Sequence, residues 1–124
     1  QIETTAAVAK IDEILAVDGL SGLFMGPGDL AVSMGRAGQM ADPELRETVL
    51  SCMAKAKTAG KLTGIFTLPG PLLSAAMDAG CDLVVCGGDV MDLGVAWTKL
   101  LGEIPAVLKM GAAHSDAAPP APLD

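Results

Sequence analysis

Two short stretches of the chain carry residue types able to do chemistry. One is Gln1-Ile2-Glu3-Thr4, and the other is Phe24-Met25-Gly26-Pro27-Gly28-Asp29-Leu30. Each supplies one carboxylate, Glu3 or Asp29, with no histidine or cysteine beside it. Hard oxygen donors of this kind suit an octahedral ion such as Mg²⁺ or Mn²⁺, whose remaining positions go to water and substrate oxygens. A structural zinc site would need four nitrogen or sulfur ligands, which neither stretch provides. Without a metal, Asp29 reads as a turn residue or cap, and Glu3 as a solvated charge in a first helical turn.

Sharing an ion requires the two stretches to meet, so the elements around them matter. Val8, Ile11, Ile14 and Leu15 recur at helical spacing, which predicts a helix over 5–17 with Thr4 or Thr5 as cap and Gly19 as stop. Residues 20–25 read as a short buried strand. Asp42-Pro43-Glu44 is a strong helix start: a capping aspartate, a proline at the first helical position and a glutamate suited to the helix dipole. This helix turns Leu45, Val49, Cys52, Met53 and Ala56 inward and ends at Gly60. A strand follows over 62–68, then a helix over 71–79 with Leu72, Leu73, Ala76 and Met77 on one face. Residues 81–87 form a third strand, apolar nearly throughout, as befits a strand covered on both faces. Asp89 caps a last helix carrying Leu93, Trp97, Leu100 and Leu101 toward Ile104, where Pro105 bends or interrupts it. From Gly111 the Ala/Pro-rich stretch has no periodic apolar face, so the reading is a domain over 1–110 and a disordered tail over 111–124.

This alternation is a run of βα units, whose right-handed crossovers make the strands neighbours in a parallel sheet. An open doubly wound sheet and a (β/α)₈ barrel both use this grammar, and both place ligands at the carboxyl ends of the strands. Gly26-Pro27-Gly28-Asp29 follows the first strand, and Gly87-Gly88-Asp89 follows the third. Glu3 precedes the first helix, where the end of another strand would be. Neighbouring parallel strands lie about 5 Å apart, so Glu3 and Asp29 could hold one divalent cation between them.

Composition narrows the function classes. At 124 residues, with 51% apolar, the chain is one domain at most. No apolar run reaches the roughly 18 residues a membrane helix needs, nothing reads as a signal peptide, and a cytoplasmic location is expected without a membrane partner. A net charge of −7, one histidine and no tyrosine leave no basic stripe or stacking surface for nucleic acid. Cys52, Cys81 and Cys86 form no CxxC pair and read as reduced thiols.

Beyond these features, "QIET" followed by "IDEILAVDGLSGLFMGPGDLAVSMG", "GKLTGIF" and "DAGCDLVVCGGDVMDL" resembles the second half of the HpcH/HpaI aldolase family, over roughly residues 1–104. These are metal-dependent class II pyruvate aldolases of the phosphoenolpyruvate/pyruvate barrel superfamily. The resemblance implies the carboxyl-terminal half of a (β/α)₈ TIM barrel, with parallel strands and a C-terminal helix. It implies Glu3 and Asp29 as ligands of Mg²⁺ or Mn²⁺, with Co²⁺ a third candidate. Gln1 would lie in the pyruvate pocket, and the N–H groups of Gly28 and Asp29 would hold the substrate carboxylate. Gly28 stands where the family often has alanine, a change that keeps the backbone donor.

The implied reaction is cleavage of a 4-hydroxy-2-oxo acid to pyruvate and an aldehyde, or the reverse addition. The family's catalytic histidine and arginine belong upstream of the QIET box, so no catalytic residue is expected here. His114, Arg36 and Arg46 read as surface charges. The expectation is therefore a fragment, inactive alone, with Glu3 frayed for want of a strand to fix it. The family assembles into homo-oligomers, for which the Trp97 helix is the candidate contact. Two alternatives stand beside this one: a citrate-lyase-β-like enzyme acting on a coenzyme A thioester, and a non-catalytic βα module that associates with other barrel halves.

Overall fold

Parallel strands define the first of the chain's two units, Gln1–Cys86. The computed structural model describes residues 1–115, with side chains as far as Ile104. Strands β1 (Gly22–Met25), β2 (Leu62–Phe66) and β3 (Leu83–Val85) form one sheet in the order β1-β2-β3, and both pairings are parallel. Ile2 extends this sheet with an isolated parallel bridge to Met25. The fold is a partial (β/α)₈ barrel, an arc of βα units followed by a C-terminal helix.

Thr4 starts the helical part of the chain. Its extended backbone and its Oγ1, which accepts the Ala7 N–H at 3.1 Å, cap helix α1 (Thr5–Ala9). The single helix expected over 5–17 is instead two, because α2 (Ile11–Leu15) begins anew after Lys10. There the Lys10 N–H bonds the Ala7 carbonyl three residues back, at 3.2 Å, a 3₁₀-type tightening that breaks the α-helical ladder. Ile11 and Leu15, four residues apart on one face, are the buried pair.

After β1 the Gly26–Asp29 turn proves to be the first turn of a helix, α3 (Pro27–Ser33), with Gly26 as its N-cap and Pro27 at its first position. Helix α4 (Pro43–Thr58) starts where the sequence places it: Asp42 accepts the Leu45 N–H at 2.9 Å, and Pro43 occupies the first position. It buries Leu45, Val49, Cys52, Met53 and Ala56, the expected stripe. This helix touches β1, β2, α2, α3 and α5 (Pro71–Asp78), so it is the centre of the packing. Leu72 and Ala76 of α5 are buried, but Met77 is 54% exposed. Five residues from Leu72, Met77 sits about 140° around the helix and off the core face.

All helices of this unit serve one face of the sheet. Leu23 and Met25 of β1, with Thr63 and Ile65 of β2, point into the core. The opposite face carries Leu62, Phe66, Leu83 and Val85, all exposed. That corrects the expectation of a third strand covered on both sides, since Leu83 is 57% and Val85 42% exposed. Gly64 flattens this face: a Cβ there would lie 2.5 Å from the Phe24 ring, which crosses it.

The second unit begins at Gly87. Its helix α6 (Asp89–Ser115) passes through Pro105 and includes residues 111–115, where the sequence reading expected disorder. The rest of that expected tail, 116–124, lies outside the described residues. No helix among the described residues is long and apolar enough to cross a membrane. The three cysteines are free, and burial pushes the Cys52 thiol above its usual range, which keeps it inert.

Asp82 ties β3 to β2 at the start of the strands. Its Oδ2 accepts the Thr63 N–H at 2.8 Å and the Thr63 hydroxyl at 3.0 Å, and Lys57 donates to both its oxygens. The Thr63 N–H first, then Lys57, holds the Asp82 carboxyl below its ordinary range. A depressed carboxylate contributes stability above the ordinary aspartate value and loses it as pH falls through the lower folded value. We therefore expect the melting temperature of the native chain to fall more steeply below about pH 4 than that of Asp82→Asn; parallel curves would show that this carboxylate does not link β3 to β2. Leu45→Ala, which empties a fully buried site, should lower the unfolding free energy by about 2–5 kcal/mol in urea titrations, against about 0.5 or less for exposed Val32→Ala.

Candidate functional site

Backbone pairing delivers the first carboxylate. The Ile2 N–H donates to the Phe24 carbonyl at 2.8 Å, and the Gly26 N–H donates to the Ile2 carbonyl at 3.0 Å. Ile2 is 2% exposed, a core residue, and alternation along an extended segment sends Glu3 the other way. The expected fraying of Glu3 is thus corrected: the residue before it is anchored on β1 both by hydrogen bonds and by a buried side chain.

Glu3 then lies over the start of α3. A Cβ on Gly26 would sit 2.7 Å from Glu3 Cγ and 2.9 Å from its Oε1, so only glycine leaves room for the carboxylate there. Gln1 Nε2 donates to Glu3 Oε1 at 2.6 Å. Asp29 is in the first turn of α3, three residues beyond the Gly26 cap. The first intrahelical acceptance is the Gly26 carbonyl by the Leu30 N–H at 3.0 Å, so the N–H groups of Gly28 and Asp29 have no acceptor within the helix. Gln1, Gly28 and Asp29 are exposed, and Glu3 is half-buried. Four sequence candidates therefore lie around one strand end and the helix that follows it.

Two hard carboxylates meet the donor chemistry of an oxygen-preferring divalent ion. Among the described residues no ion pair neutralises Glu3 or Asp29, although five other pairs form. No group of three or more His, Cys, Asp or Glu side chains gathers among the described residues either. As a donor set, one carboxylate from each stretch suits an ion that keeps its other positions for water and substrate oxygens, as Mg²⁺ does.

Other candidates fall elsewhere. Arg36, read from sequence as a surface charge, is half-buried and forks between Asp42, at 2.5 Å, and Glu44. It braces the loop before α4. The Leu45 N–H first, then Arg36, holds the Asp42 carboxyl below its ordinary range. Arg46 is exposed, and the side chain of His114 lies outside the described residues. Gly87-Gly88-Asp89 opens the second unit, where the Asp89 carboxylate accepts the Val90 N–H at 2.8 Å. A surface groove of about 530 Å³ between α2 and α4, lined by Asp12, Leu15, Lys55 and Thr58 among others, contains none of the site residues.

The sequence reading missed Gly26 as the seat of Glu3, and it missed Ser33, whose Oγ accepts the Thr5 N–H at 3.0 Å. The four-residue spacing of Asp29 and Ser33 would have marked a shared face only once α3 was known to be helical.

Most of the chain is similar to known proteins. The hydroxypyruvate/pyruvate aldolase of Roseovarius nubinhibens is 40% identical over 103 residues, 83% of this chain and 40% of that protein. A 4-hydroxy-2-oxo-heptane-1,7-dioate aldolase of Salmonella paratyphi C is 37% identical over 89 residues, covering 72% of this chain and 34% of that protein. Among solved structures, an HpcH/HpaI aldolase from Desulfitobacterium hafniense superimposes with a TM-score of 0.76 at 32% identity, over 84% of this chain and 40% of that one. The chain therefore spans well under half the length of these relatives. The sequence profile of the HpcH/HpaI aldolase/citrate lyase family matches residues 1–96. With a parallel βα arc that seats the QIET glutamate on the GPGDL turn, the chain belongs to the HpcH/HpaI aldolase/citrate lyase family.

Proposed function

We propose that these residues are part of a divalent-metal-dependent aldolase that interconverts 4-hydroxy-2-oxo acids with pyruvate and an aldehyde. The observation that carries this reading is the seating of Glu3 over Gly26, beside the α3 turn that bears Asp29. The names of the relatives, hydroxypyruvate/pyruvate aldolase and 4-hydroxy-2-oxo-heptane-1,7-dioate aldolase, support a 2-oxo acid as the substrate class.

Each residue then has a physical task. Glu3 and Asp29 hold Mg²⁺ or Mn²⁺, which when bound supplies Lewis acidity to the keto oxygen and carboxylate of the substrate. Gln1 orients the Glu3 carboxylate through its amide N–H and forms one wall of the pyruvate pocket. The Gly28 and Asp29 N–H groups, without acceptors in their own helix, receive the substrate carboxylate. Among the described residues no histidine or arginine pairs with Glu3 or Asp29. In this reading the groups that move the proton and steady the enolate oxygen belong to further βα units, as the family resemblance implies.

The sheet face on which no helix of the first unit packs, with Leu62, Phe66, Leu83 and Val85 exposed, supports the same dependence, since a parallel sheet is normally covered on both faces. In the whole protein this face lines the barrel, and Trp97 of α6, 54% exposed, contributes to a contact between subunits of a homo-oligomer.

Mixing the chain with Mn²⁺ and a 4-hydroxy-2-oxo acid should release no pyruvate in a coupled assay, whereas a protein joined to an upstream barrel half should release it readily. Asp29→Ala in that protein should reduce the rate by at least about 100-fold, more than outer-shell changes typically do. Cleavage of a coenzyme A thioester in place of the hydroxy acid would instead favour the citrate lyase branch of the family. Saturating Mn²⁺, at about 100 times its dissociation constant, should stabilise the joined protein by about 2.7 kcal/mol, and an unmoved melting temperature would sink the metal assignment. Gly26→Ala forces the Glu3 side chain off its seat, so Mn²⁺ affinity measured by electron paramagnetic resonance should drop by about tenfold or more. Unchanged affinity would show that Glu3 does not depend on that seat.

A further inference from the structure

We infer that Ser33 is a positioning residue for this metal site: its hydroxyl holds the Thr5 N–H and thereby keeps Glu3 over the Asp29 face of α3. The inference rests on the metal reading of Glu3 and Asp29 given above.

Three observations carry it. Asp29 and Ser33 are four residues apart in α3, so they share one helix face about 6 Å apart along its axis. Thr5 is the first residue of α1, where N–H groups have no acceptor within their own helix. The Thr4 side chain satisfies Ala7, and the Thr5 N–H goes instead to Ser33 Oγ at 3.0 Å, across 28 residues of sequence. The two hydroxyls also approach to 3.4 Å.

Glu3 lies between two anchors on one continuous segment. On one side Ile2 is bonded to Phe24 and Gly26, and on the other Thr5 is bonded to Ser33. Only Thr4 separates Glu3 from the second anchor, so the span has little freedom to lift its carboxylate away from α3. Ser33 is exposed and has no place in the core, so packing does not account for its contact with Thr5. Removing its hydroxyl leaves the segment held by Ile2, by the Gln1 amide on Glu3 and by the packing of α1, but without its direct tie to α3, so part of the ordering of the Glu3 carboxylate falls on ion binding.

The test is Mn²⁺ affinity of the 124-residue chain, read by electron paramagnetic resonance, in Ser33→Ala and Ser33→Thr. Glu3→Gln and Asp29→Asn serve as references, and the melting temperature is recorded for each protein. Loss of this bond should weaken binding by up to about fivefold in Ser33→Ala and lower the melting temperature by no more than a few degrees, and Ser33→Thr should restore both. Faster hydrogen exchange at the Thr5 amide in Ser33→Ala gives a readout that needs no metal. Native affinity in Ser33→Ala, alongside weakened binding in the two references, overturns the positioning role and leaves the metal reading standing. Native affinity in both references overturns the two together. Equal loss of affinity and of melting temperature in Ser33→Ala and Ser33→Thr would assign the residue a structural role only, and so also overturns the inference.

Discussion

The parallel pairing of Ile2 with the end of β1 is the constraint on which the rest of the site depends. Two backbone hydrogen bonds and one buried side chain make it, and their magnitudes differ. Each hydrogen bond nets about 0.5–1.5 kcal/mol, while burying an isoleucine contributes about 1.5–3 kcal/mol. The side chain thus holds the segment at least as firmly as the ladder does. Because Ile2 is buried on the core side, Glu3 must emerge on the other, above a backbone position that has no room for a Cβ. The location of the candidate metal ligand is in this sense a consequence of hydrophobic packing one residue earlier.

Helix α4 gives that arrangement a rigid floor. It is the longest helix of the first unit, capped by Asp42 and started by Pro43, and it packs on β1, β2 and α3. Arg36, forked between Asp42 and Glu44, ties the loop leaving α3 to the start of α4. The element carrying Asp29 is therefore held by its neighbours at both ends: by the Ile2 bridge where it begins, and by the Arg36 fork just after it ends. Asp82 performs a similar service at the far end of the strands, joining β3 to β2 through Thr63. The division of labour matches that of parallel α/β folds, with chemistry at the carboxyl ends of strands and stability at their amino ends.

No helix of the first unit packs on one face of its sheet. Glycines at 22 and 64 keep it flat, Phe24 lies across it, and four large apolar side chains stand exposed on it. A parallel sheet built this way is half of a layered structure. The same feature ties the candidate site to the architecture, because this is the face from which Glu3 rises.

The order of βα units and the boundaries of α4 were legible in the sequence, because each rests on interactions within a few residues. A cap is set by its own turn, an amphipathic stripe by 3.6-residue periodicity, and a glycine turn by backbone sterics. Where competing local preferences were close, the reading faltered, as at Lys10, where a tighter turn splits one expected helix, and at Pro27, where a turn became a helix. Only the tertiary structure decided that Ile2 pairs with β1, that Glu3 rests on Gly26, that Gln1 bonds Glu3 and that Ser33 receives Thr5. Most of these contacts join residues more than twenty positions apart, and no periodicity or cap records which distant partner a backbone group will meet. That partner is chosen by which apolar side chains can be buried together, a property of the packed whole.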